Sequence, residues 1–228
     1  PDDSNARGRL IRLAQEYFFV SAGIQSIIRY FKKLNHPWHV LSEKVAIHIN
    51  DTHPALCIPE LMRILMDEYE VSWEQAWDLT SKVMSYTNHT IMAEALEKWP
   101  TYLMKRSLPR MYQIIKEIDR RYVVSMSGIH DAALIERTRI IQGEEIHMAN
   151  LAIIGSHSTN GVAKLHSDLL KAVVLHDFYT IYPERFNNKT NGIAQRRWLQ
   201  LSNEPLSRVL DETIGQSWRH EPADLKLL

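Results

Sequence analysis

Cysteine is almost missing from this chain: Cys57 is the single one in 228 residues. An intramolecular disulfide is excluded, and a reducing compartment is compatible. A lone thiol within an apolar stretch, with no polar partner beside it in sequence, reads as packing rather than as a nucleophile. Charge excess is missing too, because 27 basic residues face 27 acidic ones. That removes the electrostatic footprint of a nucleic-acid or membrane-surface binder. No apolar run is long enough to span a bilayer, and no signal-peptide pattern is present, so a cytoplasmic protein is the expectation. Asn88-His89-Thr90 and Asn188-Lys189-Thr190 match the glycosylation pattern but are discounted on the same ground. Glycine is scarce, with 8 residues, and no G-x-G-x-x-G, P-loop or G-x-S-x-G spacing occurs. A dinucleotide fingerprint, a nucleotide loop and a serine-hydrolase elbow therefore find no support.

The most informative stretch is Lys44–Asp67. Val45 to Ile49 is apolar and β-branched, as a strand buried in an α/β sheet should be. It breaks at Asn50-Asp51-Thr52-His53. Pro54 follows, a residue suited to a first helical turn, and then Ile58, Leu61, Met62, Leu65 and Met66 recur at helical spacing. The polar quartet thus sits where a strand gives way to a helix, the place where open α/β sheets bind ligands. A helix cap with a solvated histidine is the alternative reading.

Elsewhere the pattern alternates. Leu10 to Phe31 forms a long amphipathic helix whose basic residues read as a solvated face. Ser72-Trp73-Glu74-Gln75 starts another helix as a capping box, with Trp73, Ala76, Trp77, Thr80 and Val83 as its buried stripe. Met84 to Thr90 is a short extended run ending in a polar break. Ala93 to Trp99 is expected to be helical, which places Glu94 and Glu97 on one face. They can serve acid/base work or form an exposed acidic turn. Pro100 to Tyr122 reads as one helix, and Asp131 starts a shorter one. Met148 to Ile154 reads as a second buried strand, leading through Gly155–Gly161 into a helix from Val162 to Leu175. Those glycines allow close backbone approach to a ligand or simply turn the chain. From His176 the sequence becomes turn-rich, and a domain boundary is expected near Phe186. Both ends are abrupt, and the chain reads as a piece of something larger.

Three loops, Asn50–His53, Asn88–Thr90 and Ser156–Asn160, offer amides, hydroxyls and imidazoles, with Asn188–Asn191 a possible fourth. Such groups both donate and accept and suit a polyhydroxylated ligand such as a sugar. His48, Asp51 and His53 are close in sequence, but alternation sends His48 away from the loop. No metal-binding spacing occurs, so no metal is expected.

Read together, KVAIHINDTHPALCIPELMRILMD, YTNHTIMAEALEKWP, GSHSTNGVAKLHSDLLK and NKTNGIAQRRWL, preceded by RLAQEYFFV, resemble the glycogen/starch/maltodextrin phosphorylase family over essentially the whole chain. The resemblance implies a helix-rich α/β piece of the two-lobed glycosyltransferase-B architecture, two Rossmann-like domains around a cleft. Residues 1–186 would be the C-terminal part of the first lobe, and 187–228 a linker and the start of the second, cofactor-bearing lobe. It implies reversible, retaining phosphorolysis of α-1,4-glucan to α-D-glucose 1-phosphate, with pyridoxal 5'-phosphate as cofactor. Homodimer formation and allosteric control are family properties.

Residue by residue, the resemblance makes His89 the catalytic-site histidine that hydrogen-bonds the glucosyl hydroxymethyl group, its carbonyl dipole lying near the reacting carbon. Asp51, His53, Glu94 and Glu97 match polar residues beside the sugar. Val162 matches an apolar contact, Asn191 a sugar contact from the second lobe, and Trp198 a neighbour of the cofactor. Ala93, where a proline is common, and Ala194-Gln195, in place of a Thr-Pro pair, imply a bacterial-like branch. The Schiff-base lysine and the residues that hold substrate phosphate fall outside these residues. The isolated piece is therefore expected to be catalytically silent. A non-catalytic carbohydrate-binding module on the same scaffold is the alternative.

Overall fold

The computed structural model describes residues 1–2, 4–92, 95–192, 194 and 196–228. The chain opens with helix α1 (Ala6–Lys33), capped by Asn5, whose side chain accepts from the Gly8 N–H, and closed by Lys32 and Lys33 at the negative end of the helix dipole. Its buried stripe of Leu13, Val20, Ile24, Ile28 and Phe31 repeats at helical spacing. Each such side chain contributes roughly 1.5–3 kcal/mol of burial free energy. A short helix, α2 (Leu41–Lys44), leads into strand β1 (Ile47–Asn50).

The helix after β1, α3 (Cys57–Arg63), starts later than Pro54 predicts, because residues 51–56 turn before the helix settles. It is buried nearly all round and ends in a wider turn, Ile64–Glu68. Cys57 packs there with its sulfur 3.6 Å from that of Met84, and burial pushes its thiol up to about 12. Helix α4 (Trp73–Val83) begins where Ser72 Oγ accepts from the Gln75 N–H. Ala76, Leu79, Thr80 and Val83 are fully buried, whereas Trp73 and Trp77 only half cover the helix.

Strand β2 (Met84–Thr87) follows at once. The helix expected over Ala93–Trp99 is corrected: of its described residues, 95–97 form no α-helix and Lys98–Pro100 is strand β3. Pro100–Tyr122 is two helices, α5 (Thr101–Ser107) and α6 (Pro109–Met126). Pro109 cannot donate to the ladder and forces Leu108 out of helical geometry, so it opens a new helix at N1. Helix α7 (Ala132–Thr138) is capped by Asp131. Strands β4 (Ile141–Gln142) and β5 (Glu145–His147) pair antiparallel, and β3 joins β5 to make a small sheet ordered β3-β5-β4.

Met148–Ile154, read above as a strand, is helix α8, every residue of it buried. A run buried on every side, in which the one polar residue, Asn150, is buried too, carries no period with which to tell strand from helix. The second site-bearing strand is instead the polar segment β6 (Ser158–Gly161). It is followed by α9 (Lys164–Leu169), a wider turn at Leu170–Val174, α10 (His176–Ile181) and strand β7 (Phe186–Asn188). The main sheet is parallel throughout and ordered β1-β2-β6-β7. Because β7 pairs with β6, the first compact unit runs past Phe186 to Thr190.

The second unit, Asn191–Leu228, holds helix α11 (Glu204–Ile214). Asn203 caps it, and Asp211 accepts two bonds from the Arg219 guanidinium and one from the Trp218 indole, which is buried against it.

Candidate functional site

All four strands of the parallel sheet end on one edge, at Asn50, Thr87, Gly161 and Asn188. Topology alone therefore brings Asn50–His53, Asn88–Thr90 and the turn after Gly161 together at the carboxyl ends of the strands, where α/β sheets bind ligands. The loop expected at Ser156–Asn160 instead enters the sheet at its amino edge and becomes β6. The floor is a side-chain ladder across three strands. His48 Nε2 donates to Thr87 Oγ1, Thr87 Oγ1 donates to Asn160 Oδ1 at 2.7 Å, and Asn160 Nδ2 donates to the Gly161 carbonyl at 2.9 Å. Gly161 is needed for packing. A Cβ there would lie 2.9 Å from Ser167 Cα, a main-chain atom that cannot turn aside. Gly155 is similar, its Cβ position blocked by Ile58.

On this floor the loops are fixed one by one. Asp51 takes a left-handed backbone conformation, φ 63°, its N–H bonded to the Thr87 carbonyl and its carboxylate accepting from the Thr52 N–H at 2.6 Å. Strained backbone of this kind collects at sites that hold ligands. Asn88 is buried, donating to the Tyr86 hydroxyl and accepting from the Thr90 N–H. His89, beside it, is exposed, and Asn50 Oδ1 accepts from its Nε2 at 2.5 Å. That bond fixes the tautomer and leaves Nδ1 as an acceptor. His166 ties two loops: its Nδ1 accepts from the Val162 N–H at 3.0 Å, so its Nε2–H donates to the Thr90 carbonyl at 3.3 Å. Val162, predicted as an apolar contact, is thereby held half-buried at the end of β6.

A second group lies beside the first. Arg12 of α1 donates to Glu16 Oε1 at 3.2 Å and to Glu97 Oε1 at 3.5 Å, and its Nη2 is 3.4 Å from His53 Nδ1. Glu97 Oε1 is 3.9 Å from the same ring nitrogen. Burial first, and the charge of Glu97 second, push the Glu16 carboxyl up to about 9 against the pull of Arg12. Glu16, His53 and Glu97 place one ligand atom each within 4.8 Å of one another, but the Arg12 guanidinium already supplies the positive charge there.

The structure therefore brings Asp51, His53, His89 and Val162 to one edge of the sheet and joins Glu97 to His53 through Arg12. Glu94 lies outside the described residues, as do Ala93 and Gln195. Asn191 and Trp198 belong to the second unit, where Asn191 is exposed and the Trp198 side chain is 64% exposed on the turn Arg196–Leu201. Sequence reasoning missed Arg12, Glu16 and His166. Arg12 was assigned to a solvated face, yet it is half-buried and engaged by three site residues. Its spacing of four from Glu16 was the available signal.

The carbohydrate phosphorylase family profile matches residues 1–228. The glycogen phosphorylase of Bacillus subtilis (strain 168) is 51% identical over 227 residues, 99% of this chain. That of Haemophilus influenzae (strain ATCC 51907 / DSM 11121 / KW20 / Rd) is 46% identical over 233 residues, and the muscle form of Mus musculus is 44% identical over 241 residues, each covering 100% of the chain. The chain spans 28%, 28% and 29%, respectively, of these relatives' length.

Proposed function

The chain belongs to the carbohydrate phosphorylase family, and from that premise we propose that it forms the middle of an α-glucan phosphorylase. That enzyme reversibly transfers a glucosyl unit from an α-1,4-glucan to inorganic phosphate, giving α-D-glucose 1-phosphate with retention. In this reading residues 1–186 end the first lobe, and 187–228 link to and begin the second. The parent is a cytoplasmic homodimer. Among the described residues no helix is long and apolar enough to cross a membrane.

The observation that carries the reading is His89. It stands exposed at the carboxyl edge of a parallel sheet, its Nε2 committed to Asn50 Oδ1 at 2.5 Å. Its Nδ1 is left to accept a hydroxyl proton, which is what contact with a glucosyl hydroxymethyl group requires. Beside it, Asp51 and His53 supply donors and acceptors for the other ring hydroxyls, with Glu97 backing His53 through Arg12. Holding the sugar in one orientation beside the attacking phosphate is the main service such a wall performs.

Pyridoxal 5'-phosphate, when bound, supplies a phosphate group that exchanges a proton with substrate phosphate. In this chain the flat, exposed indole of Trp198 fits a contact with it. The Schiff-base lysine lies elsewhere in the parent. Residues 1–228 alone are therefore expected to release no glucose 1-phosphate from maltoheptaose and phosphate, while the full-length protein does. In the full-length protein His89→Ala should lower kcat/KM roughly 100-fold. An unchanged kcat/KM in that variant would remove His89 from the site.

A further inference from the structure

Among the described residues, Glu16 Oε2 and Glu97 Oε2 are both buried and neither meets a donor. Yet the two carboxyls face each other, with one oxygen of each within 4.8 Å of the other. Two carboxylates cannot face one another in a dry site without a large electrostatic cost, and one proton between them removes it. Their other oxygens, both Oε1, are taken by Arg12, at 3.2 Å from Glu16 and 3.5 Å from Glu97. A guanidinium only donates, so where Arg12 Nη2 meets His53 Nδ1 the ring nitrogen accepts, and the proton of that imidazole sits on Nε2.

We propose that Glu16 is a positioning residue: its protonated carboxyl donates to Glu97 Oε2 and closes a ring with Arg12 that holds His53 with Nε2–H turned outward. The pairing stands on the shared Arg12, the two buried unpartnered oxygens and the 4.8 Å cluster. Its ligand, a sugar hydroxyl accepting from His53, rests on the glucan reading above. Among the described residues, the groups facing Glu16 are Arg12 from its own helix, Glu97 from the segment before β3, and His53 from the loop after β1. Burial and the Glu97 charge both favour the proton on Glu16, in keeping with its role as donor. The ring also explains how a residue on α1, far in sequence from both loops, bears on the sheet edge.

The test uses the full-length enzyme as wild type, Glu16→Gln and Glu16→Ala, followed from about pH 5 to about pH 9.5. Glutamine keeps a donor toward Glu97 and cannot ionise. In wild type the KM for glucan should climb at the alkaline end while kcat holds, and in Glu16→Gln it should stay flat. Glu16→Ala, which lacks the donor, should raise KM roughly tenfold throughout. The thermal midpoint of Glu16→Gln minus that of wild type should grow as pH rises. An alkaline KM rise retained in Glu16→Gln, or a midpoint difference independent of pH, would overturn the proposal. So would a wild-type midpoint raised by zinc ions and lowered by EDTA, which would put a cation in place of the proton. If full-length wild type makes no glucose 1-phosphate, the glucan reading fails while the midpoint series still decides the pairing.

Discussion

Two glutamates, one on α1 and one packed against it, live by opposite rules. Glu60, on α3, is completely buried, yet every lone pair facing the protein is used. Tyr17 and Ser21 donate to it from α1 at 3.2 and 2.8 Å, and Arg63 adds a two-pronged contact at 2.8 and 2.9 Å. Glu16 is less buried but is given too few donors, and it faces a second carboxyl. A fully partnered buried charge locks two helices together. A partly partnered one near a loop holds a proton and can respond to its surroundings. The lesson is that donor count, more than depth, separates scaffold from site.

The comparison can be broken most forcefully at Glu60. Glu60→Ala leaves Arg63 and two hydroxyls facing an apolar wall and should cost about 3–5 kcal/mol, read as loss of unfolding free energy in urea. Asp119 extends the same rule to α6, since it accepts from the Ile140 and Ile141 N–H groups at 2.7 and 3.1 Å and from Arg139 at 2.6 Å. Asp119→Ala is expected to cost about 3 kcal/mol by the same measurement. A loss below about 1 kcal/mol at either position would mean that water replaces the partners and that donor count does not decide.

Glu16 should behave with the opposite sign. Its folded carboxyl is raised from an ordinary 4.5 to about 9, so above the ordinary value the unfolded chain releases a proton that the folded chain keeps. Stability contributed by that proton is complete at acid pH and lost as pH rises through this window. Glu16→Gln should therefore match wild type near pH 4 and exceed it by about 2 kcal/mol at pH 7. The smallest effect belongs to the exposed pair of Asp78 and Lys82, 2.7 Å apart with both side chains 58% exposed. Asp78→Ala should move the unfolding free energy by no more than about 0.5 kcal/mol and less at high salt.

How much of this was legible in the sequence varied by range. Local signals were read well: the period of α1, the caps at Ser72 and Asp131, and the strand that ends at Asn50. The loops Asn50–His53 and Asn88–Thr90 were found because each interrupts an apolar or extended run, whereas the loop expected at Ser156–Asn160 is strand for most of its length. Met148–Ile154 was misassigned because a helix buried on every side has no polar face to give it a period. Strand β6 was hidden for the converse reason: its residues are small and polar, and only pairing on both sides makes them a strand. Their spacing of four marks Arg12 and Glu16 as a pair on α1, but only the long-range contact that seats α1 beside the loops after β1 and β2 makes them part of the site. Chemistry that depends on two distant stretches meeting leaves no mark on either stretch alone.

Gly161 has a consequence of another kind. The helix after it rides so close that a single added carbon would strike Ser167 Cα at 2.9 Å, and the same turn carries His166, which joins the Val162 and Thr90 loops. In a pooled library of variants selected for glucose 1-phosphate formation, this position should tolerate no other letter, alanine included. Exposed Lys164, three residues on, should accept nearly all of them. A glycine that touches no substrate would then be one of the least replaceable letters in the site.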